Sequence, residues 1–269
     1  MKLLTGLSFC LFVNIALANK APKIVNGTDA LISEFPYLVS LQRNSGQSCA
    51  GSLLNDLWIV TAAHCIVNVD PALMTIEYGA SEISQGFDGP RIAYPEKFIP
   101  HENYDSRQIR NDIGLIKLTA PLDVGLHSSP VKLAQPGKYY KTGTLATVAG
   151  WGLLATGLNI STVLQKVELQ IYDYFDCKAA HDLSTSTLDI FRTNICAGVP
   201  EMGKSECNGD SGGPLLVNDV MVGIVSWSLK PCAIAPYPGV YTDVGSFIGW
   251  ISHHTGIQFE LETFLIRKL

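Results

Sequence analysis

The sequence predicts an all-β chain, a barrel or a sandwich, and three observations carry that expectation. Short apolar runs rich in valine, isoleucine, leucine and tyrosine recur along its 269 residues, with Gly, Pro, Asn and Asp between them. Hydrophobic residues make up 47% and charged ones 16%, enough to bury a large core in one enzyme-sized unit. Neither an internal repeat of solenoid type nor a low-complexity tract interrupts the pattern.

The runs expected as strands are, in order, residues 37–41, 57–61, 74–78, 113–118, 145–149, 163–171, 220–227 and 239–244. Each has strand length and a β-branched or aromatic bias, and the turn residues in the gaps supply the backbone conformations that strands avoid. Helix is scarce. The best candidate is 246–253, with Ser246 as its cap and His253 and His254 at the negative end of its dipole. Past Gly256, the alternation Ile257, Phe259, Leu261 suits an added strand and the rest of 257–269 a helical turn, and both stay open.

The first 18 residues have a basic start at Lys2, an apolar middle too short for a bilayer, and the ending Ala16-Leu17-Ala18. That is a secretory signal cut after Ala18, so the protein is expected to be secreted and extracellular. No second apolar run approaches that length, and no membrane association is expected. Of seven cysteines, Cys10 leaves with the signal and six remain, an even number that in an exported chain implies disulfides. No Cys-x-x-Cys pair occurs, so zinc is not expected, nor any other metal or cofactor. Lys2, Lys20 and Lys23 all fall in the first 23 residues, which leaves 16 basic against 24 acidic side chains and disfavours nucleic acid as a partner.

The chemistry concentrates in Cys207-Asn208-Gly209-Asp210-Ser211-Gly212-Gly213-Pro214. A serine, ordinarily a poor nucleophile, sits among glycines that let backbone amides turn toward a reacting carbonyl oxygen. Such a hydroxyl needs a base, and the base needs an acceptor on its other nitrogen. His64 is the candidate base, because Thr61-Ala62-Ala63-His64-Cys65 ends an apolar run beside a cysteine that can fix it. His101, His127, His181, His253 and His254 have polar or turn-rich neighbours and read as solvated surface residues. Asp112 opens the apolar run 113–118, where an unpaired buried carboxylate would be costly and an imidazole partner is expected.

Together these three segments, in the order histidine, aspartate, serine, resemble the secreted chymotrypsin-like serine peptidases of the S1 family, in the invertebrate type with three disulfides. The resemblance runs from Ile24 to about Ile251. It implies two six-stranded antiparallel β-barrels with the active site in the cleft between them and a helix at the C-terminus, so that 24–269 is one peptidase domain of two halves. It implies Ser211 as nucleophile, His64 as base, Asp112 as its support, and the Gly209 and Ser211 amides as the oxyanion site. Ser226 would steady Asp112 and, with Trp227, line the cleft for the substrate backbone. The implied disulfides are Cys49–Cys65, Cys177–Cys196 and Cys207–Cys232.

The resemblance also implies a zymogen. Residues 19–23 would be a propeptide, and a protease cutting after Lys23 would free the Ile24 amine to pair with Asp210. Ser205 falls at the base of the specificity pocket with Gly239 opposite, which implies a preference for aromatic and large aliphatic P1 residues. Two departures, Glu206 beside the base and Ser228 at the entrance, carry the alternative of trypsin-like cleavage after Lys or Arg. The expected partners are protein or peptide substrates, the activating protease and protein protease inhibitors, with the chain itself a monomer. Gly79-Ala80-Ser81-Glu82 lacks the paired glutamates of the calcium loop found in some members. Inactive members that serve as binding proteins usually lack a triad residue, and none is missing here. Digestion is the default role, and Asn26 and Asn159 each begin a glycosylation sequon, Asn159 the favoured one.

Overall fold

The computed structural model describes residues 25–44, 46–84, 91–125, 127–200 and 203–259. The signal, Lys23, Ile24 and the tail beyond Phe259 lie outside these residues. Strands β1 (Thr28–Asp29), β2 (Leu38–Arg43), β3 (Gly46–Leu53) and β4 (Trp58–Thr61) precede helix α1 (Ala63–Ile66). There follow β5 (Met74–Tyr78), β6 (Ile92–Ala93), β7 (Pro95–Pro100), β8 (Gly114–Leu118) and β9 (Lys132–Leu133). The second half holds β10 (Leu145–Gly150), β11 (Gln165–Tyr172), helix α2 (Tyr174–Asp182) and β12 (Asn194–Gly198). Strands β13 (Pro214–Val217), β14 (Val220–Trp227) and β15 (Gly239–Asp243) lead to the terminal helix α3 (Ile248–Thr255).

Strands β6-β5-β2-β3-β4-β8-β7 pair in that order into one antiparallel sheet that curls into a nearly closed barrel. In the other sheet β11-β10-β13-β14-β15-β12 returns to pair β12 with β11, closing six strands into a barrel. Short β1 joins β11 at its rim, and β9 runs parallel to β14. The double-barrel expectation holds, with short strands added beyond six on each side.

Local chemistry explains the strands. In β11 the side chains of Gln165, Val167, Leu169 and Ile171 are buried while Lys166, Glu168 and Gln170 face outward, the period-two pattern of a strand with one wet face. Val148, Val167, Leu169, Val222 and Tyr241 fill the closed barrel. Leu38, Leu41, Ile59, Ile76, Leu115 and Ile116 fill the first, and that core continues through Trp151, Ile224, Phe247 and Ile251 into the junction of the halves. Each fully buried side chain of this size contributes about 1.5–3 kcal/mol, so the junction is held by apolar contact and not by the chain connection alone. All three implied disulfides are present, and they tie β3 to α1, α2 to β12, and the Ser211 loop to Cys232.

Three elements depart from the sequence expectation. Strand β3 begins Gly46-Gln47-Ser48, with no apolar run to announce it, yet Gln47 is buried. Helix α2 starts where the Asp173 carboxylate accepts from the Asp176 amide at 2.9 Å, and it buries only Cys177 and His181, too few apolar positions to give a periodic signal. Ser246 does not cap the last helix. It lies in a 3-10 turn, Val244–Phe247, and donates to Asp243 at 2.6 Å, so α3 begins two residues later and ends at Gly256 in the left-handed conformation. Ile257 and Phe259 pack on the core without pairing into a strand.

Candidate active site

His64 sits in the first turn of α1, just after β4 turns out of the first barrel. Its Nδ1 lies 2.7 Å from Asp112 Oδ2, and its amide donates to Asp112 Oδ1 at 2.9 Å. From the other barrel, Ser226 Oγ on β14 donates to the same Oδ2 at 2.6 Å, and Thr242 Oγ1 on β15 donates to the Asp112 carbonyl at 2.7 Å. Asp112 is therefore a buried carboxylate with three donors, one on each ring and amide of His64 and one across the barrel junction. The Nδ1 hydrogen bond orients the imidazole and fixes Nδ1 as the protonated nitrogen, with the main-chain amide anchoring the residue on the same carboxylate, leaving Nε2 as an acceptor on the partly exposed side.

The 207–214 loop reaches the same crevice from the second barrel. The Ser211 carbonyl accepts from the Ala50 amide at 2.7 Å, Cys65 Sγ lies 3.7 Å from it, and the Gly212 amide donates to Val225 at 2.8 Å. A Cβ at Gly212 would come within 2.1 Å of Thr61 Oγ1, so only glycine lets the loop press against the strand that delivers His64. Among the described residues Ser211 Oγ makes no hydrogen bond, and the amides of Gly209 and Ser211 donate to no carbonyl, so all three polar groups are free for a ligand. Asp210 is fully buried, with Oδ1 accepting from Gly152 at 2.8 Å and Oδ2 from Cys207 at 3.0 Å.

Beside Ser211 opens a cavity of about 170 Å³ lined by Glu206, Ser226, Trp227, Ser228 and Lys230. The Ser205 hydroxyl is turned away onto the Glu206 carbonyl at 2.5 Å. Glu206 is the buried acid of the cavity wall; Tyr241 donates to its Oε2 at 2.7 Å, and Oε1 has no hydrogen-bond partner among the described residues. Gly239 makes room for it, since a Cβ there would lie 2.4 Å from Oε1.

The sequence profile of the family described as Trypsin matches residues 24–251. The chain belongs to the trypsin family. Trypsin Blo t 3 of Blomia tropicalis is 41% identical over 85% of this chain and 84% of its own. Trypsin-1 of Astacus astacus is 38% identical over 85% of this chain and 98% of its own, and Serine protease 1 of Rattus norvegicus is 39% identical over 85% and 88%. This trypsin-family chain is a serine-type endopeptidase with protein substrates.

Electrostatics separates the ionisable groups of the trypsin-family site. Burial opposes protonation of His64, but the charge and hydrogen bond of Asp112 outweigh it and hold the ring above the ordinary histidine range. Burial pushes Glu206 up against the weaker pull of Tyr241, Ser228 and Lys230. Burial also lifts Asp210 to about 7, against the lowering effect of its two amide donors. Cys49, His64 and Cys65 bring ligand-type atoms within 4.8 Å of one another, but both sulfurs belong to one disulfide and hold no metal.

The structure gathers His64, Asp112, Ser226 and the Ser211 loop at one crevice, puts Glu206, Trp227 and Ser228 in the adjoining cavity, and leaves Ser205 with its hydroxyl on the backbone. Sequence reasoning missed Tyr241, which the strand period could have found two residues after Gly239 on the same face. It also missed Lys230, exposed at the cavity rim. His181 corrects an expectation: it is buried, bonded at Nε2 to the Pro238 carbonyl at 2.9 Å and edge-on to Trp227 at 5.1 Å. It steadies a cavity wall instead of facing solvent.

Proposed function

We infer that the protein is a secreted endopeptidase, made as a precursor, that cuts peptide bonds through Ser211, His64 and Asp112. The observation that carries the reading is the hold on His64: bonds from its ring and its amide to a buried Asp112 that Ser226 steadies from the other barrel. Ser211 Oγ attacks the scissile carbonyl carbon as its proton passes to His64 Nε2. The oxygen of the tetrahedral adduct takes the negative charge and is met by the Gly209 and Ser211 amides. His64 then gives the proton to the leaving amine, the C–N bond breaks, and an acyl-serine ester remains. Water repeats the sequence, with His64 as base and Ser211 as leaving group.

In this reading the P1 residue is Lys or Arg. The support is Glu206, a buried carboxylate in the cavity wall with an unpartnered oxygen, which a cationic side chain would satisfy and an aromatic one would leave bare. Relatives named trypsin lean the same way by name. A second reading, the large apolar P1 expected from Ser205, is favoured by the burial that drives Glu206 toward its neutral form. Activation follows cleavage after Lys23, when the Ile24 ammonium reaches Asp210, a buried acid that makes no ion pair among the described residues. No helix among the described residues is long and apolar enough to cross a membrane.

The test is a set of matched peptide substrates with Arg, Lys, Phe or Leu at P1, assayed after activation beside a Ser211→Ala variant. Loss of hydrolysis in Ser211→Ala and labelling of the parent by a serine-directed organophosphorus reagent are expected. Hydrolysis that survives in Ser211→Ala would defeat the triad, and dominant Phe or Leu cleavage would defeat the basic P1.

A further inference from the structure

Resting on the oxyanion role of Gly209 above, we propose that Gln47 is a positioning residue for that amide, and that Glu77 holds Gln47 in place through a buried side-chain relay. Gly209 has φ +96, a conformation in which glycine gains no restraint from its own side chain, so its amide direction depends on what grips the peptides on either side. The Leu153 amide holds the preceding peptide, donating to the Asn208 carbonyl at 2.7 Å. Gln47 holds the following one: its Nε2 donates to the Gly209 carbonyl at 2.9 Å and to the Cys49 carbonyl at 2.8 Å. Both amide hydrogens of Gln47 are thereby used.

Behind Gln47 the contacts continue in one direction. Its Oε1 accepts from Ser40 Oγ at 2.5 Å, and Ser40 Oγ accepts from Gln42 Nε2 at 3.2 Å. Gln42 Nε2 donates also to Glu77 Oε2 at 2.8 Å and to the Ser84 carbonyl at 2.9 Å, while Glu77 accepts from the Ser84 amide and hydroxyl at 3.0 and 2.9 Å. Ser40, Gln42 and Glu77 are buried, so no water competes for these groups.

The polarity of the relay follows from its donors. A carboxylate and a main-chain carbonyl only accept, so Gln42 must turn its amide nitrogen toward them, and three acceptors share its two hydrogens. That nitrogen faces Ser40 Oγ as well, which leaves the single Ser40 proton for Gln47 Oε1. Gln47 must then present its nitrogen to Gly209. Gln42 Oε1 finds no partner among the described residues, the sign that the other end of the amide is held by stronger acceptors. A rotated Gln47 amide would set its oxygen against the Gly209 and Cys49 carbonyls and turn its nitrogen to Ser40, leaving the Ser40 proton without its acceptor, so the acid at Glu77 fixes which way the glutamine beside the catalytic loop points.

The test uses the activated full chain. Gln47→Glu keeps the acceptor for Ser40 and removes both donors, so an oxygen faces the Gly209 carbonyl. The expected result is kcat lowered about tenfold or more with KM within about twofold, since loss of a whole oxyanion donor costs about a hundred- to a thousandfold. Affinity for a peptide aldehyde, whose adduct with Ser211 needs the oxyanion site, falls by the same factor. Affinity for the matching product peptide, which does not, is unchanged. Ser40→Ala, a small deletion two bonds from Gly209, shows the same split at about threefold and decides the matter if Gln47→Glu does not fold. Wild-type kcat in a folded Gln47→Glu, or equal losses for aldehyde and product peptide, would overturn the relay. Ser211→Ala keeps the two ideas apart: activity surviving there defeats the triad, whereas a dead Ser211→Ala beside an unaffected Gln47→Glu defeats the relay alone.

Discussion

Asp210 gives the proposed activation step a thermodynamic signature that can be measured before any substrate is added. Its carboxyl is buried, it has two amide donors, and its pKa stands at about 7 against an ordinary 3.8. Between those values the folded chain holds a proton that the unfolded chain has lost, so folding stability must fall as pH rises through that window. At about 1.4 kcal/mol per pH unit the full loss is on the order of 4 kcal/mol. The assay is urea unfolding of the uncleaved protein from pH 4 to 8, in a Ser211→Ala background that prevents self-digestion, with Asp210→Asn as the reference. Stability relative to Asp210→Asn is expected to drop across the window. After cleavage between Lys23 and Ile24 the drop is expected to vanish, because a paired ammonium lowers the Asp210 pKa. A parent and an Asp210→Asn variant with parallel pH profiles before cleavage would refute the claim that this acid is buried without a counter-charge, and an unchanged drop after cleavage would refute the pairing.

Three further outcomes follow from the site. The rise of kcat/KM with pH should have its midpoint above the ordinary histidine value of 6.5, since neutral His64 is the working base and Asp112 holds the proton on; in Asp112→Asn the residual rate, lower by roughly ten-thousandfold, should titrate below that value, and a midpoint that does not move would count against the pair. Glu206→Gln should cut kcat/KM for Arg and Lys at P1 by at least about thirtyfold, from the roughly 2 kcal/mol minimum for leaving a buried charge unpaired, while Phe and Leu substrates keep or gain rate; equal effects on both substrate classes would remove Glu206 from recognition. Mass analysis of protein secreted by eukaryotic cells should find a glycan lost in Asn159→Gln and not in Asn26→Gln, because Asn159 is exposed in its loop while Asn26 Nδ2 donates to the Gly203 carbonyl at 2.7 Å.

The parts of this site that were legible in the sequence are those whose chemistry demands a local backbone. Ser211 announces itself because Gly212 must press against Thr61, and Asp112 because an acid at the mouth of an apolar strand needs a partner. Strands 74–78 and 220–227 were legible to the residue, since Met74, Ile76 and Tyr78 alternate along the first and a nearly unbroken apolar run, Val220 to Val225, makes up most of the second. What stayed hidden depends on turns between elements. Whether Ser205 or Glu206 faces the cavity is a rotation of one residue in a stretch with no regular structure, and no periodicity reports it. His181 has polar neighbours in sequence, yet α2 lays its buried face, Cys177 and His181, against the wall that Trp227 forms. Strand β3 hid because it opens on a buried glutamine, Gln47, bonded to Ser40 of β2 and to the Gly209 carbonyl, and a polar interior carries no hydrophobic pattern.

Four acids are buried among the described residues, and the donors around each one separate those that position from those that wait. Asp112 has three donors from His64 and Ser226, and Glu77 is bonded to Gln42 and Ser84; a carboxylate so supplied gains nothing from a further cation and serves to fix its neighbours' geometry. Asp210 has two amides and Glu206 the Tyr241 hydroxyl, with weaker support from Ser228 and Lys230 at the cavity, and burial raises both of their pKa values. An undersupplied buried acid is stabilised by whatever cation can reach it. The two with fewer donors are the two for which the proposed function supplies a cation from outside the described fold, the Ile24 amine for Asp210 and a substrate lysine or arginine for Glu206. That match between missing donors and incoming charge ties activation and specificity to one physical deficit, two buried acids whose neighbours leave them short of positive charge.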